Sequence, residues 1–125
     1  MLPMSACAQR VKFLSSAVVP AANGVVKVKK DSNKNYQIKV LINNLAEPKR
    51  LTPPKEMYIV WMVADDNQPQ NIGKIEAGST FMSSKLKASF QSVSSTKPTK
   101  IFITAENDPT IQYSYSETIL TTSNF

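Results

Sequence analysis

Three groups of side chains in this 125-residue chain have types and spacings that could do chemistry. Lys27 and Lys29 stand two apart, Lys39 follows in a second alternating run, and Lys12 lies upstream. Residues two apart share one face of an extended strand, so these four lysines form a candidate anion-binding face. Asp65-Asp66-Asn67 and Asn107-Asp108 offer the oxygen ligands that calcium takes. Asp and Asn are equally the residues of tight turns, and the spacing matches no calcium loop, so no metal ligand is assigned. Glu76, Glu106, Asp108 and Glu117 are the carboxylates from which an acid–base pair would be drawn. Nothing in their spacing puts two on a common site, and Glu106, ending a strand, reads as an exposed or capping group.

The inventory narrows the chemistry further. The chain has no histidine, which removes the commonest general base, metal ligand and pH switch. Its three glycines build no phosphate-cradling loop. A single cysteine, Cys7, rules out an internal disulfide and any Cys/His metal cluster. The expectation is a protein that is not an enzyme, with no catalytic residue, cofactor or metal.

Cys7 sits in a segment unlike the rest, Met1-Leu2-Pro3-Met4-Ser5-Ala6-Cys7-Ala8-Gln9, which is small and apolar up to Arg10. It resembles the tail of an export signal. Ala6-Cys7-Ala8 is a small-x-small cleavage site that would free Gln9. Met4-Ser5-Ala6-Cys7 is similar to a bacterial lipobox, with Met where Leu is usual, and would leave Cys7 lipidated. Residues 1–9 are therefore expected to be the remnant of a signal peptide or lipoprotein leader, and residues 10–125 a single domain. The expected location is extracytoplasmic: periplasm, outer membrane or cell surface, either released after cleavage before Gln9 or held at the membrane by a lipid on Cys7.

A chain of this length can bury a core without metals or disulfides, and no run approaches the roughly 18 apolar residues that span a bilayer. Basic residues number 15 against 9 acidic, for a net charge of +6. The excess is one-sided: residues 1–55 carry ten basic and two acidic groups, while residues 56–125 carry five and seven. A basic half attracts polyanions or anionic surfaces, or simply solvates one face.

The elements that must position these groups are strands. Val11-Lys12-Phe13-Leu14 opens the first, with Ala17-Val18-Val19-Pro20 extending it along an edge. Val25 to Lys29 and Tyr36 to Ile42 alternate, so that Val26, Val28, Tyr36, Ile38, Val40 and Ile42 face inward and the lysines outward. They are predicted to form an antiparallel hairpin. Pro48, Pro53 and Pro54 make the next stretch a connection. Met57 to Ala64 is apolar on both faces and predicted to be central, with Asn71 to Ile75 as its hairpin partner. Ser83 to Phe90 places Leu86, Ala88 and Phe90 inward, and Ser92 to Pro98 is a loop. Lys100 to Glu106 and Thr118 to Thr121 complete the set. Seven or eight short strands with frequent turns predict an all-β fold, a two-sheet antiparallel β-sandwich of immunoglobulin-like type. Trp61 is expected between the two sheets. Tyr113 and Tyr115 form a recognition patch or plug one end of the sandwich, and both readings stand.

Tyr58-Ile59-Val60-Trp61-Met62-Val63, a polar turn, and Asn71-Ile72-Gly73-Lys74-Ile75 resemble the extracytoplasmic C-terminal domain of anti-sigma-K-type factors. Ile103-Thr104-Ala105-Glu106 matches that family's Val-Thr-x-Glu segment, with Asn107 in place of its proline. Tyr115-Ser116-Glu117-Thr118-Ile119-Leu120 approximates its closing segment without Pro or Gly, and the usual double glycine between them is absent. The likeness covers roughly residues 57–122, and more faintly 10–45, and implies a β-sandwich outside the cytoplasm. It carries no sigma-factor inhibition, which in that family belongs to a separate cytoplasmic helical domain.

The functional expectation is a non-enzymatic, exported cell-envelope β-sandwich that binds or supports an envelope component or protein through loops or a strand edge. The alternative is a polyanion- or membrane-surface-binding domain that uses the basic hairpin. Nucleic acid is not expected as a partner, because Tyr36 points inward and no exposed aromatics interleave with the lysines.

Overall fold

Alternating apolar and polar residues must choose one face of a sheet, and among the described residues most strands make that choice against a shared core. The structure is a computed structural model that describes residues 9–65, 68–76, 87–113 and 118–125. In chain order the strands are β1 (Gln9–Lys12), β2 (Asn23–Lys30), β3 (Tyr36–Asn43), β4 (Met57–Val63), β5 (Gln70–Glu76), β6 (Ala88–Ser94), β7 (Lys100–Glu106) and β8 (Thr118–Thr121). They form two antiparallel four-stranded sheets, ordered β1-β2-β3-β6 and β5-β4-β7-β8. The fold is the expected two-layer β-sandwich. The N–H of Leu14, just past β1, donates to Thr121 O of β8 and ties the two sheets together at one side.

The core lies between the layers. Val26, Val28, Ile38, Val40 and Ile42 from the first sheet meet Tyr58, Val60, Met62, Ile75, Ile101, Ile103 and Leu120 from the second. The β2–β3 hairpin has an unbroken register from Asn23↔Asn43 to Lys30↔Tyr36. Its turn is closed by Asp31, whose Oδ1 accepts from the backbone N–H of Asn33 and of Asn35, an Asx turn that lets Lys34 adopt φ +67. The Pro-rich connection contains one turn of 3-10 helix at Pro48–Arg50. The connection is pinned to the core where Tyr58 Oη donates to Ala46 O at 2.5 Å. Burial pushes that phenol's pKa well up, so it stays a donor.

Three sequence expectations are corrected. Residues 17–20 are not strand: Ser16 Oγ accepts from the N–H of Val18 and Val19 at 3.2 and 2.9 Å, folding them into a turn. A local hydroxyl thereby outcompetes a sheet ladder. The strand expected to end at Phe90 runs on to Ser94, because Ser92 and Ser94 pair with Ile38 and Tyr36. The partner strand decides there, not the serine-rich composition. The third concerns Trp61, which is fully buried but not between the sheets. Tyr58, Val60 and Met62 take the inter-sheet face, so Met57, Ile59 and Trp61 point out of the opposite face of β4. There they form a second, smaller cluster with Phe102 and Ile111.

β4 is central, between β5 and β7, as its two apolar faces predict. Its pairing with β5 slips by one residue between Val60 and Trp61. Gly73 lies beside that bulge at φ +151, and a Cβ there would come within 2.5 Å of the Phe90 ring on β6. Phe90 thus lies on the bare backbone of Gly73 and joins the β5 and β6 edges. Gly73→Ala is expected to lower stability by about 1–3 kcal/mol, read as an earlier urea midpoint at unchanged m-value. An unchanged midpoint would mean that the ring does not press on this backbone.

Candidate anion-binding face

The outward residues of the first sheet follow from its register. With Val26, Val28, Ile38, Val40 and Ile42 in the core, period two sends Asn23, Val25, Lys27 and Lys29 outward on β2, and Gln37, Lys39, Leu41 and Asn43 outward on β3. β1 adds Arg10 opposite Lys27 and Lys12 opposite Val25. β6 adds Ser89, Gln91 and Val93 opposite Leu41, Lys39 and Gln37. All four sequence-predicted residues, Lys12, Lys27, Lys29 and Lys39, therefore share this face. None of the residues that the four strands place on it is acidic.

The rows matter more than the count. One row runs straight across the sheet as Arg10, Lys27, Lys39 and Gln91. Three cations stand directly opposite one another on adjacent strands about 4.8 Å apart. Among the described residues none of the three has an ion pair. Like charges in facing positions destabilise a sheet. The next row is Lys12, Val25, Leu41 and Ser89, and the one beyond it pairs Asn23 with Asn43. The Asn43 amide donates to Asn23 Oδ1 at 3.4 Å. Arg10, Lys12, Asn23, Val25, Leu41 and Asn43, with Phe13 and Gly24, line an open depression of about 420 Å³. Gly24 brings the backbone close: a Cβ there would run into Leu41 O. The face can hold anions on its cations, apolar surface on Val25 and Leu41, and hydroxyl groups on the asparagines.

Sequence reasoning missed Arg10, Asn23 and Asn43. Arg10 was legible as the residue two before Lys12 on the same strand face. By sequence Asn23 belongs to a turn and Asn43 to the start of the proline-rich connection, and nothing short of the β2–β3 register puts them side by side.

Among the described residues, the other candidate groups do not converge. Glu106 is buried, not exposed: its Oε2 accepts from Thr104 Oγ1 at 2.7 Å, and that oxygen accepts from Trp61 Nε1 at 2.8 Å. Alternation places all three on the outer cluster side of the second sheet. Phe102 stacks on Trp61 with ring centroids 6.0 Å apart, and the Asn71 amide donates to Pro109 O and Ile111 O, holding the 107–113 loop near them. This is a satisfied structural network. Asp108 is exposed and accepts from the backbone N–H and hydroxyl of Thr110. These bonds, the backbone one first, hold its carboxyl below the usual range. The ionised group therefore supports the fold at neutral pH, and that support fades as pH falls through its lowered pKa. Asp65 is exposed at φ +53 in its turn, and Tyr113 is exposed. Cys7, Asp66, Asn67, Leu86, Tyr115 and Glu117 lie outside the described residues. Among the described residues no three His, Cys, Asp or Glu side chains are grouped to hold a metal ion, and no helix is long and apolar enough to cross a membrane.

Comparison with family models, with curated proteins and with solved structures returns no match.

The facing cations make a measurable stability prediction. Lys27→Gln, at the centre of the row, is expected to stabilise the protein by about 0.2–1 kcal/mol at low salt. The gain should fade near 1 M salt, where the Debye length falls to about 3 Å. Thermal unfolding at two salt concentrations checks it, and a destabilised variant at low salt would contradict it.

Proposed function

We propose that this chain is a non-enzymatic β-sandwich binding module of the cell envelope, which holds a polyanion on the outer face of its first sheet. The observation that carries the proposal is the facing row Arg10, Lys27 and Lys39. Stability alone disfavours such a row, and a bound polyanion turns the same repulsion into attraction. The acid-free composition of the face supports the reading, as does the depression beside the row.

Placement in the envelope rests on the sequence of residues 1–9, whose Ala6-Cys7-Ala8 and Met4-Ser5-Ala6-Cys7 segments fit export and lipid attachment. The likeness to the extracytoplasmic domain of anti-sigma-K-type factors points the same way. Sigma-factor inhibition is not part of the proposal. The Trp61–Thr104–Glu106 chain serves folding in this reading, since its hydrogen bonds run within the protein.

Retention on an immobilised polyanion such as dextran sulfate tests the proposal. Log K is expected to fall linearly with log salt. Lys27→Gln combined with Lys39→Gln should reduce the slope by about 2 while leaving the protein folded. No retention at low salt, or an unchanged slope in the double variant, would remove the basic face as the binding surface.

A further inference from the structure

The face is graded, and the grading names a ligand class. Along β2 the outward residues run Lys29, Lys27, Val25, Asn23, and along β3 they run Gln37, Lys39, Leu41, Asn43. Moving down the sheet, cations give way to aliphatic side chains and then to an amide pair. From Lys27 to Asn23 is four residues of strand, about 13 Å, and a single phosphate cannot bridge that span.

We propose that the depression and the adjoining cation row form a binding site for an acidic polysaccharide, a chain of sugar units carrying carboxylates; this rests on the polyanion reading above. Arg10, Lys12, Lys27 and Lys39 receive the carboxylates. Arg10 suits one especially, since its planar fork matches a carboxylate's two oxygens. Val25 and Leu41 are half-buried and so form a floor, against which the C–H face of a sugar ring packs. Asn23 and Asn43 share one hydrogen bond, which leaves donor and acceptor capacity on both amides for sugar hydroxyls. The depression, at about 420 Å³, has the size of a small-molecule site.

Each other anion leaves part of this surface unused. A linear polyphosphate would use the cations and the amide N–H donors, and would leave the aliphatic floor and the amide acceptors unused. A nucleic acid single strand calls for exposed rings on which bases stack, and the residues that the four strands place on this face include no aromatic. An anionic bilayer favours apolar side chains that project beyond the cations into the acyl boundary, whereas Val25 and Leu41 lie recessed between polar rows.

Calorimetry on the full chain with three probes of matched charge tests the site: oligogalacturonate, polyphosphate and phosphatidylglycerol vesicles, with neutral galactan as control. Oligogalacturonate is expected to bind and galactan not. Asn23→Ala with Asn43→Ala, which leaves every cation in place, should weaken oligogalacturonate about fivefold to tenfold and polyphosphate by clearly less; equal weakening of both would overturn the saccharide assignment. If the asparagine variant weakens neither ligand and polyphosphate binds as well as oligogalacturonate, the saccharide assignment fails and the polyanion reading stands. Vesicle binding without oligogalacturonate binding overturns the assignment in favour of a membrane surface. Binding to none of the three overturns both readings together.

Discussion

The register between β2 and β3 is the constraint on which the rest depends. Five β-branched residues of this hairpin, Val26, Val28, Ile38, Val40 and Ile42, are almost wholly buried against the second sheet. A slip of one residue would turn the slipped strand's share of them to water. Burying such side chains is worth about 1.5–3 kcal/mol each, far more than the electrostatic penalty of crowding lysines on the other face. The core therefore dictates the surface: once the valines and isoleucines are in, Lys27 must face Lys39, and β1 must bring Arg10 beside them.

The second sheet shows the same rule applied on both faces. β4 is apolar at nearly every position, so its alternation cannot be read from hydrophobicity alone. Tyr58, Val60 and Met62 serve the inter-sheet core, and Met57, Ile59 and Trp61 a separate cluster outside it. Trp61 needs a partner for its N–H, and β7 supplies one in Thr104, directly cross-strand from Ile59 and therefore on the same face. A buried indole with a satisfied donor is stable without a second sheet above it.

These particulars explain how much could be read in advance. The hairpin, the central strand and the two-layer class were legible, because Val26 to Lys29 and Tyr36 to Ile42 alternate and the stretch from Met57 carries no polar residue. The burial of Trp61 was legible, but its side was not, since only the pairing of β4 with β7 decides which face meets which layer. The turn at residues 17–20 was hidden because Ser16 acts through one hydroxyl, a feature with no period. Of the candidate face, the lysines were visible as alternating residues, while Asn23 and Asn43, twenty residues apart in sequence, became neighbours only through the hairpin.

Fold and proposed function thus pull on the same residues in opposite directions. The hairpin would be more stable with a neutral residue in place of Lys27, and it would then lose the charge density that attracts an anion. Observing the face while it is occupied tests this account most directly. In a ¹⁵N-resolved NMR titration with oligogalacturonate at low salt, the backbone amides of Arg10, Lys12, Val25, Lys27, Lys39 and Leu41 should shift together, with those around Trp61 and Thr104 unmoved. Shifts confined to the second sheet or the 107–113 loop, or no shifts at all, would contradict it.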